Sequence, residues 1–189
     1  MLLTGFKTSN PTGVDIQKME EIKWHKKPEM IVALSALLIS LVTTVIGMYS
    51  AYIDRSYARA SVWPRLEIFR SFGDEHFEYG VTNSGNGPAL IKYAVVQYKS
   101  NTIKYWGDIP DLPSFTQSHL GTRILSPQNN IQPIVYRGDK SKEFLETDKF
   151  VDIELCYCSI YEECWLTNRV NAPKLVNSCS VDESRKFLQ

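Results

Sequence analysis

A mainly β domain behind a single N-terminal membrane-crossing helix is what this sequence predicts, on three observations. Residues 30–53 run for 24 positions without a charge, between Glu29 and Asp54. Beyond them, residues 54–189 alternate apolar and polar side chains with a period near two rather than 3.6. Four cysteines, Cys156, Cys158, Cys164 and Cys179, all lie in the last 34 residues, and none precedes the apolar run.

The apolar run is hydrophobic all round, from Ile31 through Leu37, Leu38 and Ile39 to Ile46. A helix of that length covers about 36 Å, enough for a hydrocarbon core of about 30 Å. Pro28 suits a helix start, and Trp24 at one end with Tyr49 and Tyr52 at the other resemble interfacial anchors. A cleaved signal peptide is the rival reading, supported by the small-x-small site Ala58-Arg59-Ala60. The long leader and long apolar run favour an uncleaved signal anchor. Lys18, Lys23, Lys26 and Lys27 upstream outweigh Arg55, Arg59 and Arg65 downstream, which puts the N-terminus in the cytoplasm. Cysteines clustered on the other side fit an oxidising compartment.

The expected organisation is a cytoplasmic segment 1–29, a transmembrane helix 30–53, a juxtamembrane linker 54–64, a β-sandwich 65–168 and a C-terminal tail 169–189 tethered by Cys179. Residues 54–189 carry 18 aromatics, 3 Trp, 8 Tyr and 7 Phe, enough for one core. Strands are expected at Val62–Phe69, with Pro64 restricting it to an edge, at His76–Val81, and at Ala89–Tyr98, whose apolar run suits a central position. Ile131–Tyr136, Val151–Cys158 and a return through Cys164-Trp165-Leu166 follow, while residues 107–121 read as a loop or helical turn. Six or seven short strands separated by turns suggest an immunoglobulin-like β-sandwich.

The stretch Asn83-Ser84-Gly85-Asn86-Gly87-Pro88-Ala89 resembles the Asn-x-Gly-x-Gly-Pro-Ala turn of uncharacterised bacterial single-pass membrane proteins with an immunoglobulin-like outer domain. Tyr157-Cys158-Ser159 with Trp165 is similar to their Tyr-x-Ser … Trp hairpin, and the likeness covers residues 30–168. It implies a fold and a location in the bacterial inner membrane, with the domain on the periplasmic side, and no catalytic residue. Read physically, Gly85 and Gly87 can take positive φ without a Cβ penalty, Asn83 can bond the backbone two residues on, and Pro88 sets the entry to a strand. A strand follows this turn, where a phosphate-binding loop would open a helix.

Alternation places Cys156 and Cys158 on the face opposite Val151, Ile153, Leu155 and Tyr157. A three-residue loop, Ile160–Glu162, sets Cys158 opposite Cys164 and leaves Cys156 for Cys179, a preference among three possible connectivities. Zinc is the rival, but Cys-x-Cys-x5-Cys-x14-Cys lacks the Cys-x2-Cys knuckles of common sites, so no metal is expected.

Histidines are few (His25, His76, His119), and neither a Gly-x-Ser-x-Gly elbow, a His-Glu-x-x-His pair nor a P-loop occurs. No enzyme activity and no cofactor are expected. Lys+Arg 21 balances Asp+Glu 21, so no field draws in nucleic acid, and none is expected as a partner. Within the span, Ala36, Ser40 and Thr44 form one small-residue row and Thr43, Gly47 and Ala51 another, as close helix–helix packing needs. The expected function is therefore a membrane-anchored binding or assembly subunit. Its partners are the lipid bilayer and either a second copy of the chain or another membrane protein. The alternative is a tethered ligand-binding domain or loop-built enzyme, betrayed by a pocket gathering His76 or His119 with carboxylates.

Overall fold

A computed structural model describes residues 27–189. Lys18, Lys23 and Lys26, on which the expected orientation rests, and the expected anchor Trp24 lie outside the described residues. The chain divides between Ala51 and Tyr52 into two units.

The first helix, α1, spans Pro28–Ser61 over 34 residues, with Glu29 in its first turn and Arg59 in its last, each favourable to the helix dipole. It is long and apolar enough to cross a membrane, and none of its residues is buried. The helix runs on from the apolar run through Asp54 to Ser61, so most of the segment 54–64 is helical. Nothing between Asp54 and Ser61 is Gly or Pro. The helix stops where Pro64 disfavours helical backbone for Trp63.

The second unit is mainly β. Its strands are β1 (Leu66–Gly73), β2 (His76–Asn83), β3 (Ala89–Tyr98), β4 (Asn101–Ile103), β5 (Thr116–Gln117), β6 (Arg123–Leu125), β7 (Asn130–Arg137), β8 (Val151–Cys158), β9 (Cys164–Asn168) and β10 (Lys174–Val176). One antiparallel sheet has the order β1-β2-β7-β5, with β1 at its edge. The other runs β10-β9-β8-β3-β4, with β6 also pairing β3. Phe77, Tyr79 and Val81 from the first sheet and Ile153, Leu155 and Tyr157 from the second share one buried core.

Strand β3 shows why its sequence is apolar without clean alternation. Ala89 and Ile91 face the core, then the register shifts between Ile91 and Tyr93, after which Ala94 and Val96 face it instead. A bulge of this kind adds one residue and reverses the parity. The other face is also covered. Tyr93, Val95 and Cys156 pack there with Leu166, Val176, Cys179 and Val181.

One further expectation changes, and one element has no counterpart in the expected organisation. Residues 169–189 are not merely a tethered tail, since they supply β10 and bury Phe187 at 1% exposure. Phe187 meets Trp106 edge-on at 4.9 Å, and its amide donates to the Ala94 carbonyl at 2.9 Å. A second helix, α2 (Ser141–Asp148), occupies a stretch where the sequence has only Phe144 and Leu145 as apolar residues. It is held by tertiary contact. Phe144 packs against Phe77 at 5.1 Å and Tyr136 at 4.7 Å, and Ser141 Oγ donates to the Asp74 carbonyl at 2.6 Å.

Candidate functional site

Three constellations outside ordinary core packing stand out in the second unit: a junction clamp, a disulfide cluster and a buried ionic tie. The clamp is built on the glycine-rich turn between β2 and β3. Asn83 is fully buried, and its Oδ1 accepts from the Gly85 and Arg65 amides, both at 3.1 Å. Its Nδ2 donates to the carbonyls of Gly87 at 2.8 Å, Leu125 at 3.1 Å and Ser126 at 3.3 Å. The Asn86 and Gly87 amides donate to the Trp63 carbonyl at 3.0 and 3.3 Å. This turn therefore grips residues 62–65, the segment between α1 and β1.

Gly85 and Gly87 are needed here for a reason other than freedom in φ. Neither adopts a positive φ. A Cβ on Gly87 would lie 1.6 Å from the Val62 carbonyl oxygen, and one on Gly85 2.3 Å from that of Trp63. Backbone meets backbone there, and only glycine leaves room. Pro88 follows and leads into β3. Replacing Asn83 by Asp turns a donor that faces three carbonyls into a charged acceptor. The expected result is a loss of about 3 kcal/mol in unfolding free energy, read from thermal or denaturant melts. Early proteolysis between residues 61 and 66 should accompany it.

The last turn of α1 within this unit also meets the β8–β9 hairpin. Arg59 Nη1 lies 3.3 Å from Glu163 Oε1, its guanidinium sits 5.9 Å from the Tyr161 ring centroid, and Trp63 packs on Trp165 at 6.3 Å.

The cysteines close as two bonds, Cys156–Cys179 and Cys158–Cys164. Register explains the second, since β8 and β9 pair Cys158 with Cys164 directly. The loop Ile160–Glu162 closes through a Ser159 amide to Glu163 carbonyl bond of 2.8 Å, with Glu162 at φ 63°. That is a three-residue hairpin loop ending in a left-handed residue. The sulfurs of Cys158, Cys164 and Cys179 lie within 4.8 Å of one another, as metal ligands would. Each is committed to a disulfide and offers no thiolate to an ion.

The ionic tie escaped the sequence reading. Asp148, at the end of α2, is 2% exposed and takes Arg169 Nη2 at 2.7 and 2.9 Å, Arg70 Nη1 and the Tyr79 hydroxyl. It thus joins α2 to β1, to β2 and to the segment after β9. Burial, followed by the bond to Asp148, drives the Tyr79 hydroxyl far above its usual range, so it remains a donor at any ordinary pH. Nothing in the spacing of Arg70, Tyr79, Asp148 and Arg169 announces this cluster, because β1, β2, α2 and the segment after β9 bring its members together.

Cavities in this unit are modest. One of about 520 Å³ opens beside Cys158, Cys164 and Cys179. Another of about 250 Å³, on the outer face of β3 and β8, gathers Asp152, Glu154, Arg169 and Arg185. Neither contains a histidine. His76 instead pairs with Glu78 at 3.2 Å, and His119 is exposed on the loop before β6.

In the first unit, the hydroxyls of Ser40, Thr43 and Thr44 bond carbonyls of their own helix, at 2.7 Å to Ala36, 3.0 Å to Ile39 and 2.7 Å to Ser40 respectively. The space around Gly47 is open, and Ala36 and Ala51 lie exposed along the same helix.

Comparison of the chain with protein-family models, curated proteins and solved structures finds no match. Its architecture therefore rests on the two sheets and the helix themselves, and its function on the chemistry above.

Proposed function

We propose that this chain is a single-pass membrane protein that works by binding or assembly rather than by chemistry of its own. In this reading α1 is a signal anchor in a bacterial inner membrane, with residues 1–29 in the cytoplasm. The second unit is an immunoglobulin-like β-sandwich in the periplasm. The observation that carries the reading is α1 itself: an apolar helix with no buried residue, whose continuation the Asn83 turn and the hairpin grip at residues 59–65. Buried in lipid, such a helix hides its side chains and satisfies its own backbone. Two disulfides support an oxidising compartment for the β unit. The ligand-binding alternative is favoured by one feature, the cavity that mixes Asp152 and Glu154 with Arg185.

The test is topology. A cysteine placed at Ser9 (Ser9→Cys) should resist an impermeant thiol reagent added outside inner-membrane spheroplasts. Protease added outside should remove the β unit and leave a membrane-bound stub. Protection of the β unit until the cytoplasmic face is opened would reverse the orientation.

Partner contact is assigned to the small-residue rows, and the partner is a second copy or another membrane protein. Since the hydroxyls are satisfied within the helix, the contact depends on close packing more than on bonds between helices. Gly47→Ile is expected to reduce cross-linking in membranes several-fold, while Leu38→Ile leaves it unchanged. Equal yields for the two variants would make the span an anchor only.

A further inference from the structure

We propose that the two disulfides form one exchange-coupled site, in which a thiol released at Cys158 moves the tail bond from Cys156–Cys179 to Cys158–Cys179. This goes beyond the binding role and does not depend on it, because it concerns only the chemistry of four sulfurs in one folded unit.

The geometry points to it directly. Cys158 Sγ lies 3.7 Å from Cys179 Sγ although the two belong to different disulfides. That is van der Waals contact between sulfurs, the separation from which thiol–disulfide exchange starts. Cys156 and Cys158 are two apart on β8 and so share its outer face, about 6.6 Å apart along the strand. Cys179 therefore has two candidate partners on one surface, and the register of β8 with β9 decides which one is free by pairing Cys158 with Cys164. The cavity of about 520 Å³ is lined by Cys158, Cys164 and Cys179 but not by Cys156. A reagent entering there meets the hairpin bond and the tail sulfur together. Lys92 and Glu162 line the same cavity, one a cation that favours thiolate over thiol and the other a carboxylate that opposes it.

The substrate class is a dithiol, small or carried on a protein. One of its sulfurs attacks Cys164 Sγ, forming a mixed disulfide and releasing Cys158 as a thiolate. Its second sulfur then displaces Cys164, so the dithiol leaves oxidised to its disulfide and Cys164 is left as a thiol. The Cys158 thiolate attacks Cys179 Sγ, forming the Cys158–Cys179 bond and expelling Cys156 as a thiolate. That last step breaks one S–S bond and makes one, with no net oxidation or reduction. It shifts the anchor of the tail by one side-chain repeat along β8. The tail carries β10 and Phe187, so the shift is felt both at a sheet edge and in the core.

Two variants of the full chain in mild detergent test the step from opposite sides. Cys164→Ser leaves a thiol at Cys158 facing the intact tail bond. Cys156→Ser leaves a thiol at Cys179 facing the intact hairpin bond. Both should converge on Cys158–Cys179. After incubation at mildly alkaline pH and alkylation, fragment mass spectra should place the label on Cys156 as well as Cys158 in the first variant. In the second, the label should fall on Cys164 as well as Cys179. Wild-type protein partly reduced with dithiothreitol gives the same answer without a mutation: the two-thiol species should carry labels on Cys156 and Cys164. Labels confined to Cys158 in the first variant, to Cys179 in the second, and to Cys158 with Cys164 in the wild type would show two independent bonds and overturn the proposal.

Discussion

Asp148→Ala should destabilise the β unit by about 3 kcal/mol or more, the usual cost of removing one partner from a buried ion pair. The carboxylate is 2% exposed and stands between the guanidiniums of Arg70 and Arg169. Without it, two like charges face each other and the Tyr79 hydroxyl loses its acceptor. Arg70 is about one-third exposed and can turn to water, so the loss should fall mainly on Arg169 and Tyr79. Arg169 Nη1 also donates to the Asp148 and Val151 carbonyls, which ties the end of α2 to the start of β8. Asp148→Asn keeps the shape and one acceptor oxygen, and should cost about half as much. Denaturant unfolding followed by tryptophan fluorescence checks both. Equal stability of Asp148→Ala and wild type would mean that the arginines are fully solvated without their partner.

Phe187→Ala should cost about 3–5 kcal/mol, the range for deleting a buried aromatic side chain. Phe187 lies two residues from the last position of the sequence, where fraying is ordinarily expected and so large an effect is unusual. Here the end is sewn in. The Leu188 amide donates to the Lys104 carbonyl at 3.0 Å, and the Trp106 amide to Gln189 Oε1 at 3.1 Å. The neighbouring Leu188→Ala supplies the control. Leu188 is half-exposed, and its truncation should stay within about 0.5 kcal/mol. Melting temperatures of the two variants separate the readings. A tail held only by Cys179 would give equally small effects for both.

Periodicity and the hairpin spacing of Cys158 and Cys164 are legible in the sequence alone. The charge-free run 30–53 leaves few choices other than a long apolar helix, because its length and composition are properties of the chain alone. Alternation on β2 and β8 identifies the inner faces, since a strand reverses its side chains at every residue whatever lies around it. Symmetry of Cys158 and Cys164 about Tyr161 is likewise a local fact, and local facts suffice for a hairpin.

Tertiary structure decided everything that depends on what two distant segments do to each other. Strands of two or three residues, such as β5 and β10, are too short to show a period and exist because a longer neighbour pairs with them. Helix α2 is only eight residues long with two adjacent apolar residues, too little to show a 3.6-residue period, and is held by Phe144 among the aromatic rings of β2 and β7. Glycines 85 and 87 are visible in the sequence. Their reason is the backbone of residues 62–65 pressed against them, which no local rule for φ contains. The Asp148 tie joins residues 70, 79, 148 and 169, whose separations in sequence carry no common spacing. Burial and ion pairing at that cluster are set by the assembled sheets, because only the folded chain excludes water from a carboxylate and brings two guanidiniums to it.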